Sequence, residues 1–163
     1  MSCESNNNKL QVNIYETSKS GNKFVRSQSR GATDWGTLKR VREAWKGKLI
    51  IKGVMSPEDA LKIKAEGVDA IQVSNHGGRQ LDGSRSPFDQ VKAISDAVGD
   101  KLEIILDGGV RRGTHVLKAL AAGAKACSFG KMFLFALGAG GQKGVEKALQ
   151  NMHDEINRNM ILM

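Results

Sequence analysis

Short apolar runs alternate with amphipathic stretches along most of this chain. Apolar residues recur at helical spacing from Trp35 to Trp45, and Gly47 ends that pattern. The apolar run at residues 49–51 that follows is typical of a short buried strand. Ser56 and Ser86 each precede a proline and stand three positions before an acidic residue. That combination predicts the first turn of a helix after each serine.

The whole pattern predicts four strand–helix units. The expected strands lie at residues 49–51, 70–73, 102–106 and 124–129, and the expected helices at 57–66, 87–98, 114–122 and 144–158, with a helix break at 138–141. Alternating units of this kind form a parallel sheet covered by helices, which is an α/β fold. The strands are apolar on both faces, as buried parallel strands are. Functional residues in such folds collect where the strands end.

Residues 1–32 do not share this pattern. They are rich in Ser, Asn, Lys and Gly and have few apolar anchors, so we expect a polar leader that is loop or disordered. The predicted folded domain therefore covers residues 33–163.

Composition narrows the classes of partner. The 163 residues carry a net charge of +8, which favours anionic partners, but aromatic residues are scarce and no basic stripe is interleaved with them. We therefore expect no nucleic-acid partner. The two cysteines and three histidines are scattered, so we expect neither a metal site nor a disulfide. Without a long apolar run or a signal core, the expected location is the cytoplasm, and peripheral association with the inner membrane is left open.

The loop at residues 74–80, with the sequence Ser-Asn-His-Gly-Gly-Arg-Gln, carries the most informative chemistry. The imidazole of His76 can take a proton near neutral pH, and the guanidinium of Arg79 can hold a carboxylate with two hydrogen bonds. The alternative is a glycine turn with two incidental polar side chains. Lys52, at an earlier strand end, is either a lysine that reaches solvent or a fixed positive charge beside an oxyanion or an electron-rich ring.

Two glycine loops in adjacent units each carry a cation. Residues 107–113 open a predicted helix with two arginines, and Gly130-Lys131 follows the next strand. Exposed N–H groups at a helix start bind phosphate, and arginine adds a charged fork. Each loop alone is an ordinary turn, but the pair favours an anion site.

With these motifs laid out, the chain resembles the FMN-dependent 2-hydroxy-acid dehydrogenases and oxidases, the family of glycolate oxidase and L-lactate dehydrogenase. Residues 74–80 look like the family's active-site signature, and the similarity covers about residues 33–163. Residues 45–53 are most similar to the L-lactate dehydrogenase branch. The resemblance implies a (βα)8 TIM barrel that holds FMN at its strand ends. This chain would supply the second half, about four strand–helix units.

The resemblance also implies roles for the residues nearest the reaction. His76 would be the catalytic base that takes the hydroxyl or α proton, and Arg79 would bind the substrate carboxylate. Lys52 would lie at the N1–C2 edge of the flavin and stabilise the anionic reduced ring, while Ser74 would contact the flavin.

On the phosphate side, the resemblance assigns Asp107, Gly109 and Arg111 to the ribityl chain and the phosphate of FMN. Gly130 and Lys131 would complete the phosphate cradle. Lys131 stands where the family usually has arginine, so a two-point grip becomes a point charge.

The function implied is oxidation of an L-2-hydroxy acid, L-lactate first, to the 2-keto acid. The family's first half would supply the substrate tyrosines and the aspartate that orients the histidine, so we expect the chain to be incomplete alone. It would pair with a second copy, assemble with a separate N-terminal half, or be a gene remnant. The alternatives are a non-catalytic flavin- or phosphate-binding module and an assembly fragment that acts through its exposed sheet edges.

Overall fold

The computed structural model describes residues 34–163, which form a four-stranded parallel sheet with α-helices packed on it. The elements in chain order are α1 (Trp35–Ala44), β1 (Ile50–Val54), α2 (Pro57–Ala65), β2 (Ala70–Ser74), a 3-10 turn (His76–Gly78), α3 (Pro87–Val98), a second 3-10 turn (Gly99–Lys101), β3 (Glu103–Asp107), α4 (Gly113–Ala121), β4 (Ala126–Ser128) and α5 (Lys131–Leu162). The predicted α/β fold of four parallel (βα) units is confirmed. The predicted leader at 1–32 lies outside the described residues.

The strands lie side by side in chain order, so their ends meet along one edge of the sheet. Ser74 is in register with Asp107, and Asp107 with Ser128. Lys52 is in register with Gln72 on the neighbouring strand, and a bulge at Gly53 follows it. This register brings the polar strand ends predicted from sequence close to one another.

One face of the sheet carries the core. Ile71 and Val73 of β2 are fully buried against helix residues such as Val91 and Ile94. Side chains alternate along a strand, so the residues between them belong to the other face. Within residues 34–163 that second face is less covered, as Ile50 at its β1 end shows by being 46% exposed.

The helix starts follow the predicted chemistry with one difference. Ser56 caps α2, since its Oγ accepts a hydrogen bond from the backbone N–H of Asp59 at 3.1 Å. Ser86 makes no side-chain cap, although Pro87 begins α3 as predicted. The backbone carbonyl of Ser86 accepts the Asp89 N–H at 3.2 Å, so the first turn closes without the hydroxyl.

The last helix begins earlier than the predicted segment at 144–158. It runs from Lys131 to Leu162, and the predicted break is confirmed at Gly140 and Gly141, whose backbone angles are not helical. The segment before the break was missed because its adjacent apolar residues, such as Leu134 and Phe135, are exposed and do not form an amphipathic stripe. No helix among residues 34–163 combines the length and the apolar character needed to cross a membrane.

Candidate functional site

Three strand ends meet in a partly buried ion pair. The Oδ2 of Asp107 accepts hydrogen bonds from Lys52 Nζ at 2.5 Å and from Ser74 Oγ at 2.6 Å. Burial opposes the negative charge of Asp107, but the bonds from Lys52 and Ser74 outweigh it, so the pKa of this carboxyl lies below its ordinary value. Lys52 is therefore a positive charge held at a fixed place and is not a lysine extended into solvent.

The same cluster supports the turn that carries the histidine. The backbone N–H of His76 donates to Ser74 Oγ at 3.1 Å, so Ser74 connects Asp107 to the turn. His76 has a φ of 58°, in the left-handed region that residues other than glycine seldom adopt. The loop predicted at residues 74–80 thus contains a tight 3-10 turn at His76–Gly78.

Two side chains close this turn from outside it. Asn75 Oδ1 accepts the Gly78 N–H at 3.2 Å, and Asn75 Nδ2 donates to the Arg85 carbonyl at 3.2 Å. From the start of α5, Lys131 Nζ donates to the carbonyl of Gly77 at 2.8 Å. The histidine turn and the predicted phosphate loop are therefore joined directly.

Two adjoining hollows open at these strand ends. The first, about 320 Å³, is lined by Ser74 together with Met55, Gln80 and Leu81. The second, about 410 Å³, is lined by the predicted site residues that follow: Lys52, His76, Arg79, Asp107, Gly109, Arg111, Gly130 and Lys131. Lys52, Asn75 and His76 belong to both hollows. The structure therefore brings all nine predicted site residues to one region, and their roles stay predictions.

The position of Arg79 differs from the simplest expectation. This residue is exposed and lines the second hollow, as Arg111 and Lys131 do, but not the first. His76 lies at the boundary between the two hollows. A substrate carboxylate bound by Arg79 would therefore lie in the second hollow, which His76 also lines.

The expectation of exposed N–H groups at the start of α4 is wrong for its first donor. The N–H of Gly113 donates to Glu155 Oε2 at 2.7 Å, and the side chain of Arg112 is bonded to the same carboxylate. Glu155 was missed because the helical pattern at 144–158 gives no sign that this one carboxylate is buried. Arg111, one residue earlier, lines the second hollow as expected.

The second hollow fits a phosphate-bearing ligand. Lys52, Arg111 and Lys131 bring positive charge to it, and its size lies in the range of small-molecule sites. A Cβ built at Gly109 or Gly130 meets no atom within 4 Å, so bare backbone forms that part of the wall. Gly109 also has a φ of +75°, which a larger residue would strain. Within the described part of the chain, no three His, Cys, Asp or Glu side chains cluster to hold a metal ion.

Comparison with known proteins gives consistent matches. The sequence model of the family described as FMN-dependent dehydrogenase matches residues 2–163. An L-lactate dehydrogenase of Caulobacter vibrioides is 48% identical over 128 residues, which are 78% of this chain and 33% of that protein. A pre-mycofactocin synthase of Mycobacterium tuberculosis is 46% identical over 123 residues, 76% of this chain and 31% of that protein.

A solved structure shows the same arrangement of elements. A flavocytochrome b2 variant with sulfite bound aligns with a TM-score of 0.77 and 43% identity, over 80% of this chain and 35% of that one. The chain spans about a third of the length of the curated relatives it matches. The four units described above are thus part of a larger barrel in the relatives.

Proposed function

Because the chain belongs to the FMN-dependent dehydrogenase family, whose cofactor is FMN, we propose that its second hollow binds FMN and serves the oxidation of an L-2-hydroxy acid. The supporting observation is that Lys52, His76 and Arg111 line this one hollow. Family members act on small 2-hydroxy acids, which agrees with a base and a guanidinium in one turn.

Each side chain has a task in this proposal. Arg79 binds the substrate carboxylate, and His76 takes the proton that leaves the hydroxyl group or the α carbon. FMN, when bound, would supply the acceptor for the two electrons that the oxidation releases. Lys52, which Asp107 holds at 2.5 Å, supplies positive charge where negative charge develops. Arg111 and Lys131 bind the phosphate.

L-lactate is the substrate that we propose first. Residues 45–53 resemble the L-lactate dehydrogenase branch, and the Caulobacter protein of that name is 48% identical. The pre-mycofactocin synthase is 46% identical, so overall identity separates the two activities poorly. The substrate test therefore includes more than one 2-hydroxy acid.

A flavin-binding module without turnover is the second candidate. Within residues 34–163, the ion pairs of the structure give His76 no carboxylate partner. A carboxylate beside an imidazole stabilises its protonated form, so a base without one is weaker. We propose that further (βα) units, from a second copy or a separate chain, complete the site.

One experiment separates these functions. FMN is titrated into the purified chain while flavin fluorescence is followed, and L-lactate, glycolate or L-mandelate is then added without oxygen. Loss of the flavin absorbance with L-lactate supports the proposal, and His76→Ala should abolish it. The control is His153→Ala, an exposed histidine on α5.

The other outcomes are equally informative. FMN binding without loss of absorbance favours the non-catalytic module. If no FMN binds, the proposed function is wrong for this chain alone. Light scattering with and without FMN then tells whether a second copy takes part.

A further inference from the structure

A buried carboxylate from the last helix lies behind the loop that carries Arg111. Glu155 is only 9% exposed. Its Oε1 accepts a hydrogen bond from Arg112 Nε at 2.8 Å, and its Oε2 accepts one from the Gly113 N–H at 2.7 Å. A second guanidinium nitrogen of Arg112 also donates to Oε1. One carboxylate therefore binds both the arginine and the first backbone donor of α4.

The two helices touch at this point. A Cβ at Gly113 would lie 2.8 Å from the backbone nitrogen of Ile156 and 2.8 Å from the backbone oxygen of Met152. Both atoms belong to the helix backbone, so they cannot turn away as a flexible side chain can. Glu155 is thus presented to the α4 start by a closely packed and fixed backbone.

Two adjacent arginines make different contacts here, although both line a third hollow, of about 500 Å³, together with Glu155. The hydrogen bond from Arg112 is the main reason that the pKa of Glu155 lies below its ordinary value, and the Gly113 N–H is the next. The same bond raises the pKa of Arg112. Arg111 also lines the second hollow, as Lys131 does, and its backbone N–H donates to His115 Nδ1 at 3.3 Å.

We infer that Glu155 is a positioning residue for the anion site. By binding Arg112 and the start of α4, it fixes the loop that presents Arg111 to the second hollow. This inference rests on the proposed function, since the anion it concerns is the phosphate of FMN. Through charge alone, a carboxylate so near would weaken anion binding by repulsion. Removing the charge of Glu155 should therefore weaken FMN binding if the residue positions the loop, and should strengthen it if the residue acts by repulsion alone.

The test compares FMN with riboflavin, which lacks the phosphate. Both dissociation constants are measured by quenching of flavin fluorescence in the full chain and in Glu155→Gln. We expect FMN binding to weaken about tenfold and riboflavin binding to change less than about twofold, because a misplaced Arg111 loses a charged hydrogen bond to phosphate only. Tighter or unchanged FMN binding, or an equal loss for riboflavin, overturns the inference.

The matched control is Glu146→Gln. It makes the same change of charge in the same helix, at an exposed carboxylate bonded to Gln142. We expect both dissociation constants to stay unchanged. A weakening of FMN binding equal to that of Glu155→Gln would show that the loss does not depend on the contacts of Glu155, and it would overturn the positioning role.

Two further variants keep the inference testable. Arg112→Gln combined with Glu155→Gln should weaken FMN binding no more than Glu155→Gln alone, since the two residues act as a unit. A greater loss in the double variant than in Glu155→Gln would mean that Arg112 itself binds the phosphate, which contradicts the inference.

Glu155→Asp keeps the charge and replaces Glu155→Gln if that variant does not fold. The affinity of Glu155→Asp for FMN should fall by about threefold, and an unchanged affinity contradicts the positioning role of Glu155.

A chain that binds neither flavin would defeat the proposed function, and inorganic phosphate then decides the inference. In a titration followed by amide chemical shifts, Gly109 and Arg111 should respond in the unmodified chain and need more phosphate in Glu155→Gln. No response in the unmodified chain, or the same midpoint in both, overturns the role of Glu155.

Discussion

At the scale of single residues, the pair of Lys52 and Asp107 is the centre of the candidate site. It joins two strand ends, and through Ser74 it supports the turn that carries His76. A partly buried pair of this kind adds little net stability compared with apolar residues, but removing one partner leaves the other charge unsatisfied. The main contribution of this pair is therefore that it holds the lysine in a fixed position.

We expect Asp107→Asn to destabilise the chain by about 2 kcal/mol at neutral pH, since Lys52 loses its charged partner. Urea unfolding measures the change. The control Asp96→Asn removes an exposed pair with Lys92 and should cost less than about 0.5 kcal/mol. Equal effects of the two variants would contradict the special role of Asp107.

The destabilisation caused by Asp107→Asn should depend on pH. The pKa of Asp107 is lowered in the folded state, so its contribution is complete above the unfolded value, about 3.9, and is lost as the pH falls through the folded value. The difference in stability between the unmodified chain and Asp107→Asn should therefore be constant near neutral pH and shrink below about pH 4. A difference that grows on acidification would contradict this assignment.

Lys131 allows a second prediction at this scale. Its ammonium donates to the Gly77 carbonyl at 2.8 Å and lines the second hollow. We expect Lys131→Met to weaken FMN binding about tenfold and riboflavin binding much less, since a phosphate contact is lost. Lys143→Met, at an exposed position of the same helix, is the control. If riboflavin binding falls as far as FMN binding, Lys131 acts on the flavin pocket through the turn and not on the phosphate.

Local sequence identified the residues that line the site, but not the contacts among them. His76, Arg79 and Arg111 stand in recognisable motifs at strand ends, so the fold alone brings them together. The bonds from Lys52 to Asp107 and from Arg112 to Glu155 join residues 55 and 43 positions apart. No periodicity or motif encodes such a pair, because it depends on how two elements pack.

At the scale of elements, buried segments matched the sequence pattern better than edge segments did. β2, with a neighbour on each side, covers the predicted residues 70–73 and one more. β4 was predicted at 124–129 but covers only Ala126–Ser128, the three residues that pair with β3, its one neighbour among the described strands. The start of α5 was missed for a related reason, since exposed apolar residues blur the helical stripe that would reveal it.

The contact between α4 and α5 gives a prediction at this scale. Gly113→Ala should destabilise the chain by about 1–3 kcal/mol, because the new Cβ would press on the α5 backbone. Gly138→Ala is the matched control, since a Cβ there meets nothing within 4 Å, and in a helix it should be neutral or stabilising by up to about 1 kcal/mol. Urea unfolding of both variants decides it. An equal tolerance of alanine at the two sites would contradict the close packing.

At the scale of the whole molecule, the described residues leave a sheet that is covered well on one face only. β1 and β4 each pair with a single strand there, so backbone donors and acceptors along their outer edges are open to another strand. In the relatives the same four units are part of a barrel, and the chain spans about a third of their length. The predicted cytoplasmic location, with or without contact to the inner membrane, stays a prediction.

This architecture predicts self-association through the sheet and not through the helices. Ile50 lies on the less covered face of the edge strand β1 and is 46% exposed, while Leu120 on α4 is 43% exposed. A lysine on an edge strand opposes further strand pairing. In a concentration series followed by light scattering, Ile50→Lys should therefore have a mass closer to that of the monomer than the unmodified chain has at the same concentration. Leu120→Lys adds the same charge at similar exposure on the helical side and should leave the mass unchanged. Equal shifts in both variants would mean that charge alone opposes association, and a monomer at every concentration of the unmodified chain would mean that the open edges do not pair.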